Sequence, residues 1–337
     1  MATLLDAQVG FKKQTAFGTP IVVDRFIEAL ADTKHSFDPM VIQGMGLRVS
    51  SRYARSARRL AGTGRGEVSL KMELTSKGLG TLLELIAGTS ESTLVSGTTF
   101  QQRHRPVLAT PFMPVATIQL GIPRTDASGT VDAYTYSDCA VKSFSIDVPD
   151  NENPPTLEAV FWAASVATAT ALASASYVTT PTLFSPTTGV TTLGGTLTAP
   201  TATALATGGT AATNIRGWTL DVDLGLVERP RVGGWQRPPV GAPKAVLKVK
   251  QDYDATTARD AMLAQALTSF SGSFTGGALS AGTERIELDI PTMAIDQDAF
   301  PDLTNGDGSI PEITYSVLDN LTDDEWYIVT RTADNAL

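Results

Sequence analysis

Two histidines and one cysteine are the side chains most ready for chemistry in this chain, and their spacing supports none. Neither His35 nor His104 stands at metal-ligand distance in sequence from the other, from Cys139 or from an acidic pair. A lone cysteine excludes an internal disulfide and any multi-cysteine zinc centre, and it fits a reducing compartment. The histidines read as polar loop or surface residues. No Gly-x-Ser-x-Gly elbow, no His-Glu-x-x-His and no Gly-Lys-Ser/Thr phosphate loop occurs. The run Gly62-Thr63-Gly64-Arg65-Gly66 could let backbone amides approach an anion, but it precedes a strand rather than opening a helix, so a loop or hairpin arm is expected. Asn305-Gly306-Asp307-Gly308 has the look of a calcium loop, yet Leu303 occupies a ligand position and no glutamate closes it; a tight turn is expected. Asp296, Asp298, Asp302 and Asp307 could supply a glycosidase pair, a weak signal because carboxylates crowd loops. No catalytic, cofactor-binding or metal-binding residue is assigned, and the chain is not expected to be an enzyme.

Charge is distributed more tellingly than nucleophiles. Between Met40 and Gly66 there is no acidic residue, while Arg48, Arg52, Arg55, Arg58, Arg59 and Arg65 carry six positive charges. From Glu284 onward, 13 acidic residues face only Arg285 and Arg331, a net of −11. Opposed patches on one chain favour contacts between copies; the bland alternative is two solvated faces. Nucleic-acid binding ranks last, because the arginine cluster has one aromatic, Tyr53, and the whole chain is acidic at −9.

The elements that must position these groups are mostly strands. Among 337 residues, 29 Gly and 19 Pro punctuate short Val/Ile/Leu/Thr-rich segments, and 42% hydrophobic residues suffice for a core. Alternation is clearest at Val68, Leu70, Met72 and Leu74. Further strands are expected at 116–120, 142–148, 218–224, 245–249, 285–290 and 326–330. Two helices follow strands: one with Leu79, Leu82, Leu83 and Ile86, capped by Thr75 or Ser76 and stopped by Gly88, the other with Ala258, Met262, Leu263, Ala266 and Leu267 behind Asp254 or Thr256. Superposing Leu70-Lys71-Met72 on Leu247-Lys248-Val249 aligns strand with strand and helix with helix, and an Arg/Gly loop precedes each, at 52–66 and 229–241. This order suggests a tandem duplication.

The expected organisation is a first unit over 1–165, an Ala/Thr/Ser/Gly-rich connection over 166–213 that retains Phe184, Val190 and Leu197 for short strands, and a second unit over 214–337, or else one enlarged unit. The N-terminus shows no signal or transit pattern, and the stretch 161–177 is too rich in Ala, Ser and Thr to span a bilayer, so no membrane association is expected.

Five stretches carry a family resemblance. Gly10-Phe11-Lys12-Lys13-Gln14-Thr15-Ala16-Phe17-Gly18-Thr19-Pro20 resembles a Gly-(aromatic)-x-x-Glu-Thr-x-Tyr-Gly-Thr opening, with Gln14 for Glu and Phe17 for Tyr. Leu79 to Gly88 and Tyr134 to Ile146 follow, then Gly217-Trp218-Thr219-Leu220-Asp221-Val222-Asp223 and the strand at 244–250. In order and spacing they are similar to the major tail or tail tube proteins of siphoviruses, particularly those of actinobacterial phages; residues 164–213 match nothing specific.

The resemblance implies a mainly β fold, a sandwich or barrel with flanking helices, an extended N-terminal arm and long loops. It implies homo-oligomeric rings that stack, three chains per ring being slightly favoured over six, with tape measure, tail tip and terminator proteins as further partners. The expected home is the virion tail, assembled in the host cytoplasm, with double-stranded DNA passing through unbound. About 24 strands at roughly 4.8 Å spacing and 45° tilt enclose a lumen of ~40 Å. Expected self-assembly contacts are Phe11 and Phe17, Arg52, Arg55, Arg58, Arg59 and Arg65, and Arg229, Arg231, Trp235 and Arg237. A competing reading is a β-sandwich adhesin or carbohydrate binder, against which the four tryptophans are scattered.

Overall fold

The computed structural model describes residues 6–46, 48–50, 52–106, 110–126, 129–149, 152–297, 299–300 and 309–336. In chain order its strands are β1 (Gln8–Lys13), β2 (Arg25–Ile27), β3 (Lys34–Asp38), β4 (Ile42–Gln43), β5 (Arg59–Leu60), β6 (Arg65–Glu73), β7 (Gly88–Ser96), β8 (Thr99–Pro106), β9 (Val115–Pro123), β10 (Val131–Val148), β11 (Thr156–Ala163) and β12 (Ser165–Ala167). Then come β13 (Gly189–Leu193), β14 (Leu197–Thr198), β15 (Thr207–Gly208), β16 (Ile215–Asp223), β17 (Arg229–Arg231), β18 (Gly234–Gln236), β19 (Lys244–Asp252), β20 (Thr268–Ala278), β21 (Thr283–Ile295), β22 (Ser309–Val317) and β23 (Tyr327–Thr332). The helices are α1 (Gly80–Ala87) and α2 (Thr257–Ala264). Every strand expected from alternation forms. In β6 the reason is visible: Val68, Leu70 and Met72 are buried while Lys71 and Glu73 between and beside them reach solvent.

Two long strands organise the molecule. The 18 residues of β10 serve two sheets: its first half pairs β9 and β12, its second half β11 and β16. The changeover falls at Asp138, whose φ of 57° is one that Asp tolerates better than most residues, and where the ladder with β9 slips between Tyr136 and Cys139. The 13-residue β21 is used the same way, its first half against β23 and its last three residues against β22, with β20 along the other edge. One antiparallel sheet therefore runs β3-β6-β11-β10-β16-β19-β22-β21. A second layer holds β2-β1-β9-β10 on one side and β13-β20-β21-β23-β8-β7 on the other. The bridge Ala29↔Met72 closes a circuit through β2, β1, β9, β10, β11 and β6.

The core lies between the layers and draws on both ends of the chain. Phe11, Leu70, Leu83 and Phe161 share it with Leu220, Leu247, Phe270 and Ile313, and Phe144 meets Trp326 edge to face at 5.3 Å. Seven residues of α1 are buried, and Gly88 ends it at φ 89° as expected. The cap differs: Leu79 occupies that position, and Ser76 instead accepts a hydrogen bond from Thr182 N–H at 3.1 Å while its own N–H donates to the Thr182 carbonyl. In α2 only Ala258 is buried; Leu263 and Leu267 face solvent.

The Ala/Thr/Ser/Gly-rich connection is laid along the sheets. Its backbone is met by side-chain amides and guanidinium groups: Gln119 bonds Ala171 and Ala173, Gln101 donates to Thr201 and Ala204, and Arg103 donates to Pro200. A segment with few large apolar residues orders here because its polar backbone is satisfied by the body it crosses.

Candidate functional site

The two Arg/Gly loops singled out in the sequence are brought together. The first, between β3 and β6, projects as a hairpin pinned by β4 and β5. Gly62 and Gly64 are required by close approach: a Cβ on Gly62 would lie 2.1 Å from the Met40 carbonyl oxygen, and one on Gly64 2.2 Å from the Phe37 ring. The second loop projects as β17-β18, turning at Val232 through Gly233 and Gly234, both at positive φ. The Trp235 indole N–H donates to the Gly64 carbonyl at 2.7 Å, its ring meets Trp162 edge to face at 5.2 Å, and Arg65 pairs with Glu228 at 2.7 Å. Trp235 is thus the dock that holds one arm against the other.

Arg48, Arg52, Arg59, Arg229 and Arg231 point to solvent. Arg55 is half-buried, and Arg58 folds back over Gly46, where a Cβ would overlap its guanidinium. Arg237 serves the hairpin foot: it donates to the Met113 carbonyl, lies over the Phe112 ring at 5.3 Å, and has its pKa lowered by burial. The surface between the arginines is apolar to an unusual degree, with Met45 84%, Val49 91%, Tyr53 90% and Val232 105% exposed. Exposed aliphatic and aromatic side chains interleaved with guanidinium groups suit a protein contact better than a solvated loop. That apolar component was legible in residue types but not in exposure.

The N-terminal motif has a different place. From Gln8 the chain is an internal strand, with β1 between β2 and β9. Phe11 is fully buried and packs the chain's own core, out of reach of another copy. A Cβ on Gly10 would fall 2.8 Å from Phe26, Gln14 is buried and bonds Thr117, and Gly18 N–H donates to Asp138. Phe17 is half-buried beside them. These residues fix the fold of the first sheet.

The groups surveyed for chemistry are dispersed. His35 shares a hydrogen bond with the Tyr136 hydroxyl at 2.9 Å; His104 is fully buried beside Ser90, and burial lowers it to about 3. Burial pushes the Cys139 thiol up. A partly buried ionic cluster, Arg285 with Glu287 at 2.8 Å and buried Asp289 beyond, lies under the connection, where Glu287 accepts the Ala206 N–H. Among the described residues no group of three or more His, Cys, Asp or Glu is placed to hold a metal, and no helix is long and apolar enough to cross a membrane. Asp298, Asp302 and the 305–308 turn lie outside the described residues.

The eight-stranded sheet turns a polar face to solvent. Glu67, Glu73, Asp147, Glu158, Asp221, Asp223 and Glu312 are interleaved there with Lys34, Lys71, Lys142, Lys244, Lys248 and Lys250, and Lys142 pairs with Glu67 and Lys248 with Asp221, each at 3.0 Å. A β-rich chain with paired projecting arms and a long sheet whose outer face is polar has the architecture of a structural protein. The model of the phage tail tube protein family matches residues 5–316, and the chain belongs to that family. No curated protein matches it. Its role is that of a structural tail tube component of the virion tail.

Proposed function

We propose that copies of this chain join edge to edge into rings, that rings stack through the basic hairpins, and that the lumen conducts double-stranded DNA out of a siphovirus. The observation that carries this is the eight-stranded sheet, which among the described residues has no partner beyond β3 at one end or beyond Met293 of β21 at the other. Unpaired strand edges are a liability in a lone molecule and a joint in a ring.

The arithmetic favours three chains. Two units, 1–165 and 214–337, each give four strands of the sheet, so three copies supply about 24 strands and a lumen of ~40 Å. The polar face, in which carboxylates are interleaved with lysines, then lines the channel and offers phosphate no continuous basic track, so DNA slides without adhering. Arg52, Arg59, Arg229 and Arg231, with Tyr53 and Val232, meet the acidic C-terminal loops of the next ring. Tape measure, tail tip and terminator proteins cap such a tube, and assembly takes place in the host cytoplasm.

Negative-stain microscopy of purified protein at rising concentration tests this. Rings and tubes are expected from the wild type, and separate rings from a variant with Arg52, Arg59, Arg229 and Arg231 changed to Glu. Monodisperse monomers at every concentration would end the proposal; unchanged tubes from the variant would remove the arginines from it.

A further inference from the structure

The two halves of the eight-stranded sheet repeat each other strand for strand. The order β3-β6-β11-β10 is matched by β16-β19-β22-β21, with α1 after β6 and α2 after β19. The registers agree as well. In the first half Phe144 faces Ala159, which faces Leu70; in the second, Ile295 faces Tyr315, which faces Leu247. The halves are joined by β10 and β16, where Ser143 faces Asp223, Phe144 faces Val222 and Ser145 faces Asp221. Among the described residues the equivalent edge at the end of β21 has no partner past Met293, and the equivalent of β16 is β3, whose outer edge has none either.

We infer that the joint inside the chain is the template for the joint between chains: β3 of a second copy pairs antiparallel with the end of β21 so that Ser36 faces Ala294, His35 faces Ile295 and Lys34 faces Asp296. The register follows from β16, because Val222 faces Ala245 as His35 faces Val68, and Ala245 and Val68 each stand two residues before the matched Leu247 and Leu70. Two features that played no part in the alignment agree with it. The facing pair Lys34 and Asp296 is of opposite charge, both are exposed, and neither is in an ion pair within the chain among the described residues, although Asp296 accepts the Ser316 hydroxyl. Burial agrees at two of the three pairs: Ile295 is buried and His35 half-buried, and Lys34 and Asp296 are both exposed, whereas Ala294 is buried and Ser36 exposed. A slip by one residue would send a carboxylate toward the core.

This joint rests on the ring reading above, and the test separates the two. Lys34→Asp and Asp296→Lys are made singly and together, and Ser36→Cys is combined with Ala294→Cys, Cys139 being buried. Each single reversal lowers assembly about threefold per joint, and the double swap restores it. Thiol oxidation of the two-cysteine variant gives a reducible ladder that ends at the closed trimer. Rings that form without cross-linking, or a double swap no better than its parents, would overturn this register and leave the ring standing. A wild type that never forms rings would overturn the ring and the joint with it.

Discussion

Burial decides what the titratable residues of this chain can do. His104, whose Nδ1 bonds Ser90 inside the sheet, stays neutral because charging it would cost the hydration it has lost. Its folded pKa, about 3, lies below the ordinary value of 6.5. Between those values the unfolded chain binds a proton that the native chain refuses, so stability is full above the unfolded value and falls with falling pH by up to about 1.4 kcal/mol per pH unit. Asp289 acts in the opposite sense, its carboxyl raised by burial and by the neighbouring Glu287 charge, so the native chain keeps a proton as pH rises that the unfolded chain has released. Urea denaturation from pH 4 to 7 should therefore show a shallower acid slope in His104→Gln than in the wild type. An unchanged slope would remove His104 from the acid response.

At the scale of elements, the hairpins are where sequence and geometry meet most closely. Gly62 permits the hairpin to close on Met40, and Trp235 ties it to its neighbour. The substitution Gly62→Ala places a methyl against a backbone carbonyl that cannot yield, so the arm must move while the sheets keep their core. The expected outcome is a thermal midpoint shifted by no more than about 1 kcal/mol of stability, rings that still form, and stacking that is lost. Circular dichroism and microscopy on the same sample check both halves; a variant that stacks normally would show that the arm's path is immaterial. The helices differ from each other for a related reason. Both carry apolar residues at helical spacing, but α1 has two layers to sit between, whereas α2 lies at the margin with Leu263 and Leu267 outward.

At the scale of the whole molecule, two kinds of contact are expected to respond differently to salt. In the proposed assembly, stacking through arginines at solvent-exposed positions would be Coulombic and screened as the Debye length falls below about 10 Å, above roughly 0.1 M. Edge pairing would rest mainly on backbone hydrogen bonds and buried apolar area, with one exposed Lys34–Asp296 pair per joint, and would sense ionic strength far less. Raising salt from about 0.05 to 0.5 M should shorten tubes while leaving ring diameter unchanged by microscopy. Tubes of constant length would show that the arms bind by apolar contact, through Tyr53, Val49 and Val232.

By itself the sequence determined the secondary structure and the family. Val68, Leu70 and Met72 could face a core only as a strand, because a period of two is the strand's own geometry, and Gly88 could stop α1 because it alone accepts φ 89° at no cost. The strand-then-helix repeat was readable at Leu70 and Leu247 for the same local reason. Only the tertiary structure decided that Phe11 packs inward within a central strand, that Ser76 holds the connection rather than a helix, that Trp235 docks on Gly64 across the chain, and that β3 and the end of β21 have no outer partner among the described residues. Those are pairings between residues far apart in sequence. Local periodicity fixes which way a side chain faces along its own strand, and it is silent on which strand lies beside it.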